Sequence, residues 1–209
     1  MSAAEHPTTT PAAREVLDFW FGPPDDPGHT HTRAEWCRKD AAFDALIAQR
    51  FGTLIEQALA GGIDGWAQVN EVSNGARPLT ALARVIVLDQ FPRNAFRGTA
   101  RAFAGDALAL QGCRSLVASG LDRGLSGVQR QFVYLPFEHS EDLAHQRTAL
   151  QLFEQLARDE PALAGLHEWA RKHHDVIARF GRFPHRNAAL GRASTDAEQA
   201  FLLQPGSGF

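Results

Sequence analysis

The stretch PLTALARVIVLDQF, residues 78–91, decides the fold class of this chain. Its VIVL centre has the β-branched character of a buried strand. The apolar run is long for a strand, however, and its alanines and leucines favour a helix. Pro78 suits the first turn of such a helix, where its missing backbone N–H does no harm. We therefore predict a central buried helix over residues 78–91.

The patterns on both sides of this segment are also helical. A first helix starts at Pro11 and ends at GPPDDPG, residues 22–28, and a long helix fits residues 33–60. A short helix over residues 63–69 leads into a loop, and Thr99 is a candidate cap for a later helix that Gly120 ends. Further helical segments are predicted at 125–135, 140–158, 161–180 and 195–203, with Pro136, Pro161 and Pro184 as punctuation.

Strand signals are scarce, so the sequence predicts an all-α fold of about nine helices in antiparallel pairs. A chain of 209 residues is within the range of one domain. We expect a flexible leader over residues 1–10, a single domain over 11–203 and a tail over 204–209. The signature and the 34-residue period of tetratricopeptide repeats are missing, so a helical array of that type would be a degenerate one.

Composition and charge exclude several classes of protein. A net charge of −3 argues against a general nucleic-acid or membrane-surface binder. The two cysteines, Cys37 and Cys113, predict neither a disulfide framework nor a CxxC metal site. The N-terminus has no secretory signal and no apolar run reaches membrane-spanning length, so we expect a cytoplasmic protein. No nucleotide-binding or HExxH motif is present, and no cofactor or metal is predicted.

One unusual phrase occurs twice, as DQFPRNAFRG at residues 89–98 and as RFGRFPHRN at residues 179–187. Residues 89–101 carry a local charge of +2 and residues 179–192 carry +4, which leaves −9 for the rest of the chain. Side by side, the two stretches would form a pocket for a carboxylate or phosphate. The alternative is a structural network in which arginines pair with carboxylates, for example those of PFEHSED at residues 136–142.

Four helices each direct one polar side chain inward. Asp89, Asp106, Gln146 and His173 interrupt apolar stripes, the last of them in the series Trp169, His173, Ile177 and Phe180. A buried carboxylate requires a partner, so we expect Asp89 to pair with Arg93 or with an arginine of the later stretch. Four such residues beside two arginine-rich loops favour a shared polar cavity.

His139 is the best candidate for acid–base chemistry. It stands beside Ser140 and Glu141 at a junction marked by Pro136, and an imidazole titrates near neutral pH. The alternative is a hydrogen-bonded junction histidine. Ser140, followed by two acids, is also a simple helix start.

Several long motifs together resemble a bacterial family catalogued only as a domain of unknown function, number 924 in its series. They are VLDFWFG at 16–22, LDQFPRNAFRGTARAFAGDALAL at 88–110, YLPFEHSEDL at 134–143 and RFGRFPHRNAALGRAST at 179–195. The resemblance runs from about residue 14 to residue 203, and the chain differs at residues 69–78, where its loop is longer. The resemblance implies an all-α fold related to the tetratricopeptide-like superfamily. It implies no activity and no catalytic residues.

Three functions are consistent with these patterns. The first is a pocket for a small anionic metabolite, possessed by a binding protein or by an acid–base enzyme in which His139 and Glu141 move protons. Its binding residues would be Arg93, Asn94, Arg97, Arg182, His185, Arg186 and Asn187. The second is a tetratricopeptide-like module that binds a protein partner, with Trp36, Trp66 and Phe209 among the contacts. The third is a set of structural clamps. The sequence leaves the ligand, any reaction and the oligomeric state open.

Overall fold

The computed structural model describes residues 9–29, 31–36, 38–67 and 76–208. The chain divides into two compact units. Unit 1 takes its residues from Met1–Arg97 and Arg101–Pro136, and unit 2 from Gly98–Ala100 and Phe137–Phe209. The expected single domain over residues 11–203 stays a prediction. Most of the expected leader, the loop at 69–75, Cys37 and Phe209 lie outside the described residues.

The described residues are helical and contain no strand, which confirms the all-α fold class. The α-helices are α1 Pro11–Phe21, α2 Ala41–Leu59, α3 Ala76–Val85, α4 Phe91–Ala95, α5 Asp106–Ala118, α6 Gly127–Glu138, α7 Leu143–Asp159, α8 Gly165–Phe180 and α9 Asp196–Leu202. Short 3-10 turns link many of these helices. In unit 1, helix α1 packs on α3, α2 on α4 and α3 on α5, and in unit 2 the main pair is α7 with α8.

The central segment is a helix, as predicted, but it is not a regular one. One π-helical turn, Ile86–Gln90, joins α3 to α4. Every residue from Ala81 to Pro92 is buried, so the extra residue of the π turn lies inside the core of unit 1. Turns of this kind are frequent at functional positions, and this one carries Asp89.

Helix α2 begins later than predicted. The expected start at residue 33 is wrong, because a separate 3-10 turn occupies Ala34–Trp36 and Asp40 caps the helix. The Asp40 carboxylate accepts hydrogen bonds from the backbone N–H groups of Ala42 and Phe43. These bonds hold the pKa of Asp40 below its usual value. A good capping residue therefore decides the boundary.

Other boundaries also differ from the sequence prediction. Pro136 does not end its helix, since α6 continues through it to Glu138. Ser140 does not cap α7, because the Asp142 side chain accepts the hydrogen bond from the Ala144 N–H instead. Gly120 ends the helix before it in the left-handed conformation, with φ at 71°, as predicted.

Aromatic rings fill much of the core of unit 1. Trp20 and Phe21 of α1 each contact the ring of Phe132, at centroid distances of 5.6 and 5.5 Å. Trp36 packs edge-on against the same ring at 4.8 Å. Trp36 and Trp66, two candidate contacts of an interaction module, are half-buried.

The core of unit 2 is smaller. One of its clusters has Val176, Ile177 and Phe183 as buried residues, and Phe180 and Phe201 are among the side chains packed against them. Trp169 was expected on the same inward stripe, but its side chain is 50% exposed, so that expectation is wrong. In the part of the chain that the structure describes, no helix has both the length and the apolar character needed to cross a bilayer.

Candidate functional site

The two Phe-Pro stretches belong to different units, so each is described within its own unit. In unit 1, Arg93 forms two hydrogen bonds to the Asp106 carboxylate, at 2.7 and 3.0 Å. Its guanidinium also lies 3.1 Å from Asp89, which is fully buried. The Gln90 amide donates a further hydrogen bond to Asp89 at 2.6 Å. The predicted burial of Asp89 and its pairing with Arg93 are confirmed.

The end of the same stretch is held by a carboxylate from α2. Arg97 forms a two-fold hydrogen bond to Asp44, at 2.7 and 2.8 Å, and Asn94 donates to Asp44 at 2.8 Å. The hydrogen bond from Arg97 is the main cause that lowers the pKa of Asp44. Arg101 pairs with Glu56 of the same helix. Each arginine of this stretch therefore already has a carboxylate partner within unit 1.

In unit 2, Arg182 is held in the same manner. Its guanidinium forms two hydrogen bonds to Glu198, at 2.6 and 2.8 Å. Glu198 also completes a capping box with Thr195 at the start of α9. The Arg182 hydrogen bond, followed by the Thr195 backbone N–H, lowers the pKa of Glu198 to about 2.

Glu141 is the carboxylate at the centre of a second network in unit 2. It accepts two hydrogen bonds from Arg192, at 2.7 and 2.9 Å, and one from the Phe183 backbone N–H at 2.8 Å. Burial alone would raise the pKa of Glu141, but these bonds and the charge of Arg186 outweigh it and hold the pKa below its usual value. Asn187 accepts a hydrogen bond from Arg192 and so belongs to this network.

The rings of His173 and His185 pack against Phe183 in unit 2, and a third histidine, His139, lies beside His173. The ring of His173 lies 6.3 Å from that of His139 and 5.6 Å from that of Phe183. The His185 ring is 5.5 Å from the Phe183 ring. The buried guanidinium of Arg186 stacks on the same Phe183 ring, 4.5 Å from its centroid. Burial, and then the positive charge of Arg186, lowers the pKa of His185 to about 3. His185 is therefore neutral at physiological pH.

Glu138 is the site residue that sequence reasoning missed. Its Oε1 atom lies 2.9 Å from Nδ1 of His173, and both side chains are buried. The expected burial of His173 is confirmed, and a buried imidazole calls for a polar partner. The need of a buried His173 for a polar partner was the signal in the sequence that could have pointed to Glu138. That need does not say which acid of the tract at 136–142 supplies the partner.

Gln146 fixes the junction between α6 and α7. This fully buried amide donates to the backbone carbonyl groups of Glu138 and Ser140, at 2.5 and 2.7 Å. Its expected burial is confirmed. Asp106, by contrast, is partly exposed, with 22% of its side chain open to solvent.

Unit 2 thus brings together His139, Glu141, Gln146, His173, His185, Arg186 and Asn187, and unit 1 brings together Asp89, Arg93, Asn94, Arg97 and Asp106. The pocket shared by the two stretches stays a prediction. A groove of about 520 Å³ in unit 2 is lined by Arg179, Phe180, Arg182, Thr195, Ala197 and Glu198. Among the described residues, no group of three or more histidine, cysteine, aspartate or glutamate side chains has an arrangement that could hold a metal ion.

Comparison with known proteins agrees with the motifs. The family model described as "Bacterial protein of unknown function (DUF924)" matches residues 16–206. A solved structure, of the protein of unknown function ATU0120 from Agrobacterium tumefaciens, is 38% identical in sequence with a TM-score of 0.77. The match covers 94% of this chain and 99% of that chain. No curated protein gives a significant match.

Proposed function

The chain belongs to the bacterial DUF924 family of unknown function, and we propose that its unit 2 binds a small anionic molecule beside Arg186. The ligand would carry a carboxylate or a phosphate group. His139, His185 and Asn187 lie in the surrounding cluster and would supply hydrogen bonds to it.

The observation that carries this proposal is the position of Arg186 on the Phe183 ring, since the Phe183 backbone N–H binds Glu141. Glu141 receives two hydrogen bonds from Arg192, and the charge of Arg186 is a further, smaller cause of its lowered pKa. Because Arg186 is 94% buried on an aromatic ring, an incoming anion would gain a charge-assisted hydrogen bond away from bulk water.

The other predicted binding arginines are less suitable for a ligand. Arg93, Arg97 and Arg182 each form two hydrogen bonds to a carboxylate of their own unit. An anion would have to displace that carboxylate. We therefore assign these three arginines a structural role.

Any acid–base chemistry at this site would depend on a histidine. Glu141 is committed to Arg192 and to the Phe183 backbone, and its lowered pKa makes it a poor proton acceptor. Of the predicted pair His139 and Glu141, only His139 remains suited to proton transfer, and its side chain is half-buried.

Thermal stability with a panel of anions tests the binding proposal. A ligand at about a hundred times its dissociation constant adds about 2.7 kcal/mol, which raises the melting temperature of a chain this size by roughly 5–10 °C. We expect that shift for one class of carboxylate or phosphate with the wild type and with Arg97→Gln. Arg186→Gln should lose it, and Arg186→Lys should keep part of it. An equal shift in Arg186→Gln, or none in the wild type, contradicts the proposal.

One observation favours the second candidate, a protein-interaction module. Trp169, Leu190, Leu202 and Leu203 of unit 2 are exposed, Leu203 to 87%. Apolar side chains that are exposed to water occur at contact sites when they form a patch. Sedimentation velocity over a range of concentrations would detect self-association, and Leu203→Ser should abolish it. A monomer at all concentrations would remove a second copy of the chain as the partner.

A further inference from the structure

The groove of unit 2 is formed by the C-terminal end of α8, the segment that follows it and the start of α9. Its volume of about 520 Å³ is within the range of clefts that hold small molecules, roughly 300–1,000 Å³. Six side chains line it: Arg179, Phe180, Arg182, Thr195, Ala197 and Glu198. Arg186 is not one of them, so the anion site proposed above does not account for this groove.

Hydrogen bonds hold the walls of the groove together. The Arg182 guanidinium donates two hydrogen bonds to Glu198 and one to the backbone oxygen of Ala193, at 2.9 Å. Glu198 also accepts a hydrogen bond from the Thr195 backbone N–H at 2.7 Å. These bonds join the segment after α8 to the start of α9, so the groove is formed before a ligand arrives. Binding to a preformed site costs less conformational entropy.

Arg179 supplies the unbalanced charge of the groove. It is exposed, and among the described residues no acidic side chain forms an ion pair with it. Arg182 and Glu198 neutralise each other, so Arg179 leaves the lining with one positive charge. That charge matches a singly charged carboxylate better than a phosphate monoester, which carries about −1.5 to −2 at neutral pH.

An aromatic ring lies against the Arg179 guanidinium. The Cζ atom of Arg179 is 4.6 Å from the centroid of the half-buried Phe180 ring. Phe180 packs in turn on Phe201, with ring centroids 5.1 Å apart, and this contact holds the Phe180 ring in place. A guanidinium that is positioned on a ring still presents its N–H edge to a carboxylate, and the pair that they form is planar.

Two smaller groups complete the lining. The Thr195 hydroxyl accepts a hydrogen bond from the Glu198 backbone N–H and can donate its own hydrogen to a ligand. Ala197 is exposed and carries only a methyl group, so it does not fill the groove. The groove thus combines one cation, one aromatic ring, one hydroxyl donor and one small apolar position.

We propose that this groove is a second ligand site and that it binds a small aromatic carboxylate. Arg179 pairs with the carboxylate, Thr195 donates a hydrogen bond to it, and the ring of the ligand packs on Phe180 and Ala197. Aromatic rings prefer offset or edge-to-face contacts with one another, which favours a flat ring over a puckered one. The site does not depend on Arg186, so it stands or fails separately from the anion site.

Fluorine NMR with 4-fluorobenzoate as the probe tests the groove. The fluorine signal broadens when the probe binds, and a titration gives a dissociation constant. We expect saturable binding to the wild type and a dissociation constant roughly ten- to a hundred-fold higher in Arg179→Gln, which loses a charged hydrogen-bond donor. Arg171→Gln is the matched control, because Arg171 is an exposed arginine of α8 that pairs with Glu168 outside the groove. It should bind the probe as the wild type does.

Changes to α9 and to the ligand test the position and the chemistry of the site. Ala197→Leu should fill the groove and remove binding. Ala200→Leu should not, since Ala200 is also exposed on α9 but does not line the groove. Benzoate should displace the probe, and cyclohexanecarboxylate, which has the same charge but no flat ring, should displace it several-fold less well.

Three results would overturn the proposal: no saturable binding to the wild type, equal binding to Arg179→Gln, or equal displacement by cyclohexanecarboxylate and benzoate. If Arg186→Gln loses the probe while Arg179→Gln keeps it, the carboxylate binds beside Arg186. The groove is then refuted and the anion site is supported. If Arg179→Gln loses the probe while Arg186→Gln keeps it, the groove is supported, whatever the anion panel shows for Arg186.

Discussion

Gly105 is the position where the structure predicts the strongest effect of a single added methyl group. A Cβ atom on Gly105 would lie 2.1 Å from the backbone oxygen of Leu88 and 2.9 Å from its carbonyl carbon. Ordinary contacts begin at 3.4 Å. Leu88 belongs to the buried π turn, so the backbone that would have to move is surrounded by packed side chains.

Two opposing effects decide whether Gly105→Ala raises or lowers the free energy of unfolding. Its φ of −91° is one that alanine adopts easily, so the lost entropy of the unfolded chain alone would stabilise the variant by about 0.4–1 kcal/mol. Overpacking of a rigid core costs about 1–3 kcal/mol and occasionally more. Because the obstacle is backbone, we expect the upper end of that range. The net loss is then about 2 kcal/mol, a fall of roughly 4–8 °C in melting temperature.

Gly52→Ala is the matched control for this experiment. Gly52 lies inside α2, and a Cβ atom there would meet nothing within 4 Å. That variant should be more stable than the wild type by about 0.5–1 kcal/mol. Urea and thermal unfolding of both variants measure the difference. If Gly105→Ala unfolds at or above the wild-type midpoint, the close approach of Gly105 to Leu88 is not rigid and the reasoning is wrong.

The remaining predictions concern the ion pairs. Arg93→Ala should lower the free energy of unfolding by about 3–5 kcal/mol, since it leaves the fully buried Asp89 without its cation. Arg97→Ala should lower it by less than about 1 kcal/mol, because 39% of that side chain is exposed, and equal losses in urea unfolding would contradict this distinction. Glu198 has a pKa of about 2 in the folded chain against an ordinary value of 4.5, so its contribution is complete above about pH 4.5 and is lost as the pH falls towards 2. The difference in melting temperature between wild type and Glu198→Gln should shrink over that interval, and a constant difference would refute it.

The helices were predictable because their signals are local. Apolar periodicity places α1 and α9 close to their observed bounds. The π turn could not be found in this way, because the composition of residues 78–91 indicates a helix without distinguishing a π-helical turn from a regular one. Pro136 was misleading because proline lacks one hydrogen-bond donor, and the buried packing of α6 tolerates that single loss.

Part of the polar network was predictable for the same reason. Asp89 and Arg93 are one helical turn apart, so their pairing follows from spacing alone. The partners Asp44 of Arg97 and Glu141 of Arg192 are 53 and 51 residues away in sequence. Nothing in a local pattern selects one distant carboxylate among many. The charge surplus of the two stretches was visible, and so was the acidic tract at residues 136–142, but the individual pairings were not.

Tyr134 is the only tyrosine of the protein, and its surroundings make it an optical marker. It is 1% exposed, it donates a hydrogen bond to Asp122 at 2.6 Å and it accepts one from Arg130 at 3.0 Å. Burial, and then the Asp122 hydrogen bond, raises the pKa of the Tyr134 phenol far above its ordinary value of 10. Between the ordinary pKa of 10 and the raised pKa of the folded chain, the unfolded chain ionises its phenol and the folded chain does not. The free energy of unfolding therefore falls as the pH rises through this interval. The ultraviolet absorbance of tyrosinate at pH 11 would thus report the unfolded fraction of this protein directly, with no dye and no added label.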